Sequence, residues 1–163
     1  MGKKKQKKIW HLVVALIVVV VGGMLFVGAA AGWFSEKKAR LSEEYYKDNV
    51  GIMDFDAAEY DSLASEGKSF LVLVDQEECN TADQLREFTE NLAVEKNVAI
   101  YRIMFEEMKK SSLGEYVKYY PSFVVVSKGK VLAFLRADSD EDADEYNNYE
   151  DFSNWVSRYV VGL

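Results

Sequence analysis

Few side chains in this chain of 163 residues can do covalent or acid–base chemistry, because it has one cysteine, one histidine and one proline. A single cysteine excludes an intrachain disulfide and any zinc or iron–sulfur site built from several thiolates. The histidine, His11, borders a long apolar run, which removes Ser-His-Asp and Cys-His catalysis from consideration. What the thiol of Cys79 can do depends on the elements that position it.

A second chemically dense stretch lies at residues 138–151, which contain eight carboxylates. Four of them alternate along the chain, as some calcium ligands do: Asp138, Asp140, Asp142 and Asp144. An EF-hand loop, however, needs glycine at its sixth position and glutamate at its twelfth, where this register has Ala143 and Tyr149. We therefore expect a solvated acidic loop, with no metal and no cofactor. The alternatives are an acidic rim that attracts basic segments of a partner, and a calcium site.

Charge divides the chain into two unlike parts. Residues 1–34 contain five lysines and no acid, whereas the rest of the chain carries 15 basic and 27 acidic side chains. A region this acidic repels the phosphates of nucleic acid instead of displacing their counterions, so we expect no nucleic-acid partner.

The long apolar run predicts a membrane anchor. Residues 12–34 have no charged side chain, and as a helix they would be about 34 Å long, enough to cross a hydrocarbon core of about 30 Å. Trp10 and Trp33 bracket the run, as interfacial aromatics do. We predict a basic cytoplasmic tail at residues 1–8 and a transmembrane signal anchor at residues 9–34.

Flanking charges predict the orientation of this anchor. Five lysines precede the span and three basic residues follow it closely, which favours a cytoplasmic N-terminus and an extracytoplasmic C-terminal domain in a single-pass protein of the cell membrane. One alternative is cleavage after Ala31, which would release the domain. In addition, Gly28-x-x-x-Gly32 is a close-packing pattern through which two copies can pair.

Apolar periodicity predicts the elements that position Cys79. Residues 35–49 are densely charged and predict a juxtamembrane spacer, a helix or a solvated stalk. Strands are predicted at residues 50–55, 69–74, 98–105, 122–127 and 131–137. Helices are predicted between Asp56 and Gly67 and at residues 81–96, 112–117 and 149–161. This order predicts an α/β domain over residues 50–163, with a mixed central sheet and helices on both faces.

This order of elements resembles the thioredoxin fold, and three local features carry the resemblance. Cys79 stands just ahead of a helix, where thioredoxins have their Cys-x-x-Cys motif. Tyr119-Tyr120-Pro121-Ser122 precedes a hairpin strand and looks like the family's cis-proline segment. The Lys128-Gly129-Lys130 turn matches the family's closing hairpin.

The resemblance implies that Cys79 is the candidate nucleophile and that Tyr120, Pro121 and Ser122 bind an extended polypeptide. Ala82 occupies the resolving position, so one chain has no two-cysteine cycle and is at most a monothiol oxidoreductase. The expected partners are extracytoplasmic polypeptides, and a Cys79–Cys79 disulfide would give a homodimer.

Other residues around Cys79 favour an inert thiol. The buried acid of thioredoxins has no match in the sequence, since Asp75 lies only four positions before Cys79. Glu77 and Glu78 disfavour a thiolate, whereas the N-terminus of the following helix favours one. A redox-inactive scaffold or protein-interaction module is therefore the alternative function.

Overall fold

The computed structural model describes residues 38–46 and 50–163 of the chain. Five strands form one sheet: β1 (Gly51–Asp54), β2 (Phe70–Asp75), β3 (Ala99–Met104), β4 (Ser122–Ser127) and β5 (Lys130–Phe134). Five helices accompany them: α1 (Ala57–Ser65), α2 (Asn80–Lys96), α3 (Phe105–Met108), α4 (Ala143–Asn147) and α5 (Tyr149–Tyr159). Short 3₁₀ turns occur at Glu43–Tyr45, Ser112–Glu115 and Asp140–Asp142.

The sheet has the order β1-β3-β2-β4-β5 and mixes two strand directions. Strand β3 pairs in parallel with β1 and β2, which requires the helical crossovers that the sequence predicts. Strand β4 pairs antiparallel with β2 and with β5. The mixed sheet predicted from the element order is confirmed.

Strand β2 is the central strand of this sheet, and all six of its residues are buried. Alternate side chains of a strand point to opposite faces, so Leu71 and Leu73 join one apolar cluster while Phe70, Val72 and Val74 join the other. Helices α2 and α5 cover the first face, and α1 and α3 cover the second. Residues 70–74 are therefore all apolar because strand β2 is covered on both faces.

Local signals define the ends of helix α1. The Glu59 amide donates to the Asp56 carboxylate at 2.9 Å, and the Asp56 amide donates to the Glu59 carboxylate at 2.9 Å. This reciprocal pair satisfies two amides that a helix start leaves without partners. Gly67 follows the helix with φ +70, a left-handed conformation that glycine adopts without steric cost. The predicted start and stop are both confirmed.

The domain extends further toward the N-terminus than the sequence predicts. Buried and exposed side chains alternate here: Ala39 and Leu41 are buried, and Lys38 and Arg40 are exposed. The Ala39 amide donates to the Tyr159 carbonyl at 2.7 Å, which adds this extended segment to the end of α5. Within the predicted 35–49 spacer, residues 38–46 thus pack on the domain. The high charge content of the segment hides this period-two alternation.

The structure also differs from the prediction after β3 and β5. Helix α3 begins directly where β3 ends, and β5 ends at Phe134 instead of continuing to residue 137. The stretch predicted as an acidic loop contains α4, whose Tyr146 is buried. No helix among residues 38–46 and 50–163 is long and apolar enough to cross a membrane. The predicted tail and anchor at residues 1–34 lie outside the described residues.

The turn between β4 and β5 gives a test of this packing. Gly129 has φ +73, and a methyl group there would overlap the carbonyl oxygen of Ala64 at the end of α1. Gly67 has nearly the same φ, but a methyl group there would meet nothing within 4 Å.

We expect Gly67→Ala to lower the free energy of unfolding by about 1 kcal/mol through its backbone conformation alone. Gly129→Ala should lower it by at least about 3 kcal/mol, because backbone atoms must also move. Urea unfolding of both variants measures the difference. Equal losses would mean that the hairpin does not press against α1 as described.

Candidate functional site

Cys79 is the residue that caps the start of helix α2. It is partly buried, and its carbonyl accepts the Asp83 amide at 2.9 Å. Its thiol makes no capping hydrogen bond with the first turn. Glu78, directly before it, has φ +56, so the chain turns sharply between strand β2 and the helix. The predicted placement of the thiol at a helix start is confirmed.

Pro121 lies at the same end of the sheet, directly before strand β4, which pairs with β2. The Tyr120–Pro121 peptide bond is cis, as the sequence predicts. Val74, next to the end of β2, is opposite Ser122, the first residue of β4, in the antiparallel register. The segment that ends in Cys79 therefore leaves the sheet where the segment containing Pro121 enters it.

The predicted polypeptide-binding residues differ strongly in exposure. Tyr120 is 42% exposed and its ring packs at 4.8 Å from that of Phe105, and Tyr119 beside it is 55% exposed. Ser122 is buried, and its hydroxyl donates to the Leu135 carbonyl at 2.6 Å. The side chain of Ser122 is thus committed to the β4–β5 pair, and the accessible surface here is aromatic.

The acidic stretch reaches the proline segment through one tyrosine. The Tyr146 hydroxyl, in α4, donates to the Pro121 carbonyl at 2.7 Å, and burial raises the pKa of that hydroxyl. Asp138 and Tyr119 line the same small cavity of about 140 Å³. Within residues 138–151, Tyr146 therefore contacts the backbone of Pro121. Among the described residues, no three His, Cys, Asp or Glu side chains are grouped as metal ligands.

An ion-pair network with one buried carboxylate lies at the carboxyl ends of β1 and β2. Asp75, the last residue of β2, is 1% exposed, and the Arg86 guanidinium donates to both of its oxygens, at 2.7 and 2.9 Å. Arg102 of β3 lies 3.8 Å from Asp75 and donates to both oxygens of Asp54, the last residue of β1. Asp83 accepts from Arg86 at 2.9 Å.

Two of these contacts shift the pKa of a side chain. Hydrogen bonds to Asp75 raise the pKa of the Arg86 guanidinium, and those from Arg102 lower the pKa of Asp54. Both arginines are therefore held by carboxylates. The pair between Asp75 and Arg86 ties the end of β2 to the second turn of α2, across the segment that carries Cys79.

Asp75 was set aside in the sequence analysis because it lies only four positions before Cys79, and neither its burial nor its two arginine partners were predicted. One available signal was an aspartate that ends an apolar strand, followed by an arginine in the second turn of the next helix. Tyr146 was missed as well, because nothing local marks its partner 25 residues away.

Comparison with known proteins supports the fold. No protein-family model and no curated protein sequence matches the chain. Among solved structures, a mutant thioredoxin from Halobacterium salinarum superposes with a TM-score of 0.52 at 18% identity, over 70% of this chain and 96% of that one.

Two further thioredoxins agree with it. That of Schistosoma mansoni gives a TM-score of 0.52 at 9% identity, over 68% of this chain and 97% of its own. Spinach chloroplast thioredoxin f gives a TM-score of 0.51 at 12% identity, over 68% of this chain and 95% of its own. Identities this low establish the fold alone. The described domain thus has the thioredoxin-like fold: a mixed five-stranded sheet flanked by helices.

The ion-pair network gives a second test. Arg86→Met would leave the buried Asp75 carboxylate with the Gln76 amide and the more distant Arg102, so we expect the free energy of unfolding to fall by about 3 kcal/mol. Arg136→Met is the matched control, because Arg136 pairs with Asp138 at the surface, over 3.4 Å. We expect that variant to lose less than about 1 kcal/mol of unfolding free energy.

The double variant Asp75→Asn/Arg86→Met should regain much of the loss, since it removes the uncompensated charge. Denaturant unfolding of the four proteins measures these values. If Arg86→Met and Arg136→Met lowered the free energy of unfolding by the same small amount, Arg86 would not be needed to stabilise the buried Asp75 carboxylate.

Proposed function

We propose that the chain is a membrane-tethered, extracytoplasmic thioredoxin-like protein that binds secreted or envelope polypeptides. The binding face consists of Cys79 and the Tyr120–Pro121–Ser122 segment. The observation that supports this proposal is the β2–β4 register: the segment that leads to the single cysteine of the sequence leaves the sheet where the cis-proline segment enters it.

The surface around this edge favours an extended polypeptide. Exposed aromatic rings such as Tyr119 and Tyr120 offer a large apolar contact area with a polar end, which suits peptide binding. Backbone next to a strand end is also available to pair with an incoming extended chain. The hydroxyl of Tyr146 holds the Pro121 carbonyl from behind and keeps the segment in place.

Cys79 would capture a partner's disulfide by thiol–disulfide exchange. Its thiolate attacks one sulfur, the partner's S–S bond breaks, and a mixed disulfide forms while the other sulfur leaves as a thiolate that takes up a proton. The buried Ala82 stands three residues further on, and the chain has no second cysteine to attack the mixed disulfide. The adduct therefore persists until a second thiol-containing molecule attacks it.

Tethering rests on the sequence of the N-terminal part. The uncharged run at residues 12–34, with five lysines before it, is typical of a single-pass anchor with a cytoplasmic N-terminus. An acidic domain held outside the cytoplasm would then meet polypeptides as they emerge from the membrane.

A specific observation favours a redox-inactive binding module as the second candidate. Arg86 and Arg102, the arginines near the start of α2, are held by Asp75, Asp83 and Asp54, while Glu77 and Glu78 are exposed beside Cys79. Both arginines are thus already paired with carboxylates, whereas activated cysteines usually lie next to a cation that stabilises the thiolate. In this candidate the same face binds polypeptides and the thiol plays no part.

One experiment separates the two candidates. The full chain in detergent micelles is mixed with two thionitrobenzoate-activated disulfides, one on an extended cysteine-containing peptide and one on glutathione. Release of thionitrobenzoate gives the exchange rate. Binding before exchange should make the peptide react about tenfold faster than glutathione.

Tyr120→Ser should remove that advantage without changing the glutathione rate, because it alters the binding surface and not the thiol. Val94→Ser, which changes an exposed apolar side chain near the C-terminal end of α2, is the matched control. The peptide adduct should remain until dithiothreitol is added. Equal rates for peptide and glutathione would contradict polypeptide binding. The redox-inactive candidate would be supported instead if the cysteine peptide formed no adduct and a peptide with serine in place of that cysteine bound equally well.

A further inference from the structure

A small cavity lies between the chain before Pro121 and the end of strand β5. It has a volume of about 140 Å³, and we name it the Tyr119 pocket. Residues 116–119 form one wall and residues 134–138 form the other. Tyr119 lines the cavity and is followed directly by Tyr120, so the pocket borders the face that the proposed function assigns to polypeptides.

Hydrogen bonds hold the back of this pocket in place. The Leu135 amide donates to the Phe123 carbonyl at 2.9 Å, and the Leu135 carbonyl accepts the Ser122 hydroxyl at 2.6 Å. On the opposite wall, Val117 is buried and its amide donates to the Leu113 carbonyl at 3.1 Å. A bound side chain would therefore enter a preformed site, where binding orders little of the protein.

Exposed aromatic side chains are concentrated around the mouth of the pocket. Of the six large apolar or aromatic side chains exposed in the described part of the chain, three belong to Tyr116, Tyr119 and Tyr120. Single exposed apolar residues are common on protein surfaces, whereas a contiguous group of them is typical of a contact surface. The pocket thus lies within a surface suited to an apolar partner.

The charged side chains that line the pocket already have partners. The Lys118 ammonium donates to the Gly114 carbonyl at 2.6 Å, and the Arg136 guanidinium donates to the Asp138 carboxylate at 3.4 Å. A charged side chain entering the pocket would lose its water without meeting an unpaired group of opposite charge. The lining therefore favours an uncharged, apolar side chain.

The volume of the pocket sets the size of its occupant. An apolar cavity of about 150 Å³ engineered into another protein binds benzene. The Tyr119 pocket, at about 140 Å³, therefore matches one phenyl ring or one leucine side chain. The larger indole of tryptophan exceeds it.

We propose that the Tyr119 pocket receives one large apolar side chain, phenylalanine or leucine, of the polypeptide that binds at the proline segment. This inference rests on the proposed function and adds a sequence preference to it. It involves no thiol chemistry, so it applies to both candidate functions.

Peptides without cysteine test the preference. The probe is a capped, fluorescently labelled octapeptide of serine and threonine with one variable central residue, and its anisotropy is measured with the full chain in detergent micelles. We expect phenylalanine or leucine at that position to bind about tenfold more tightly than alanine, because the pocket removes their apolar surface from water. Tryptophan, lysine and glutamate should gain less than phenylalanine.

A change that fills the pocket should remove this preference. Ala137 lines the pocket and is exposed, so Ala137→Leu should weaken binding of the phenylalanine peptide about tenfold by occupying the space for its ring. Ala58→Leu, the same change at an exposed position of α1, is the matched control and should leave the affinity unchanged.

Nuclear Overhauser effects locate the bound ring. They should join the phenylalanine ring of the peptide to the methyl groups of Val117 and Leu135, which line the pocket. Effects to Val131 or Leu132 in their place would put the ring elsewhere along β5 and overturn the proposal.

Two further results would overturn it: equal affinities of the phenylalanine and alanine peptides, and equal effects of Ala137→Leu and Ala58→Leu. If all peptides bind equally and Tyr120→Ser weakens them all, polypeptide binding at the proline segment stands and only the pocket is wrong. If no peptide binds, the proposed function fails together with the pocket.

Discussion

The antiparallel register of β2 against β4 is the constraint on which the candidate site depends. It places Val74 opposite Ser122 and so brings the residues that follow β2 and those that precede β4 to one edge. A shift of one residue would turn the buried faces of both strands toward the wrong layers, since side chains alternate with a period of two. Burial of Phe70–Asp75 on both faces therefore fixes where the segment that leads to Cys79 leaves the sheet, next to the point where the Pro121 segment enters it.

Polar contacts then hold the edge that this register creates. Asp75 ends the central strand without access to solvent, and the cost of burying its carboxylate is offset by Arg86 and Arg102. The same pair anchors helix α2 behind Cys79. On the other side, Tyr146 holds the Pro121 carbonyl. Both contacts use charged groups or a hydroxyl to position the backbone at this end of the sheet.

Regular, local patterns made much of the fold predictable. The apolar run of β2, the Asp56–Glu59 capping pair and the stripe of α5 each depend on neighbours in sequence. The cis bond before Pro121 was predictable from the resemblance of its segment. The pairing of Asp75 with Arg86 and of Tyr146 with Pro121 was not, because each joins elements whose contact is decided by tertiary packing. Ala39 and Leu41 were hidden for another reason: their charged neighbours obscured a short alternating pattern.

The central claim is that Cys79 and the proline segment form one face, and the single natural cysteine allows a direct measurement. A nitroxide spin label on Cys79 of the full chain broadens the amide resonances of residues near it. The account predicts strong broadening at Tyr120 and Ser122 and little at Gly129, since β4 carries the chain about 20 Å toward the opposite edge of the sheet. Broadening at Gly129 with sharp signals at Tyr120 and Ser122 would contradict it.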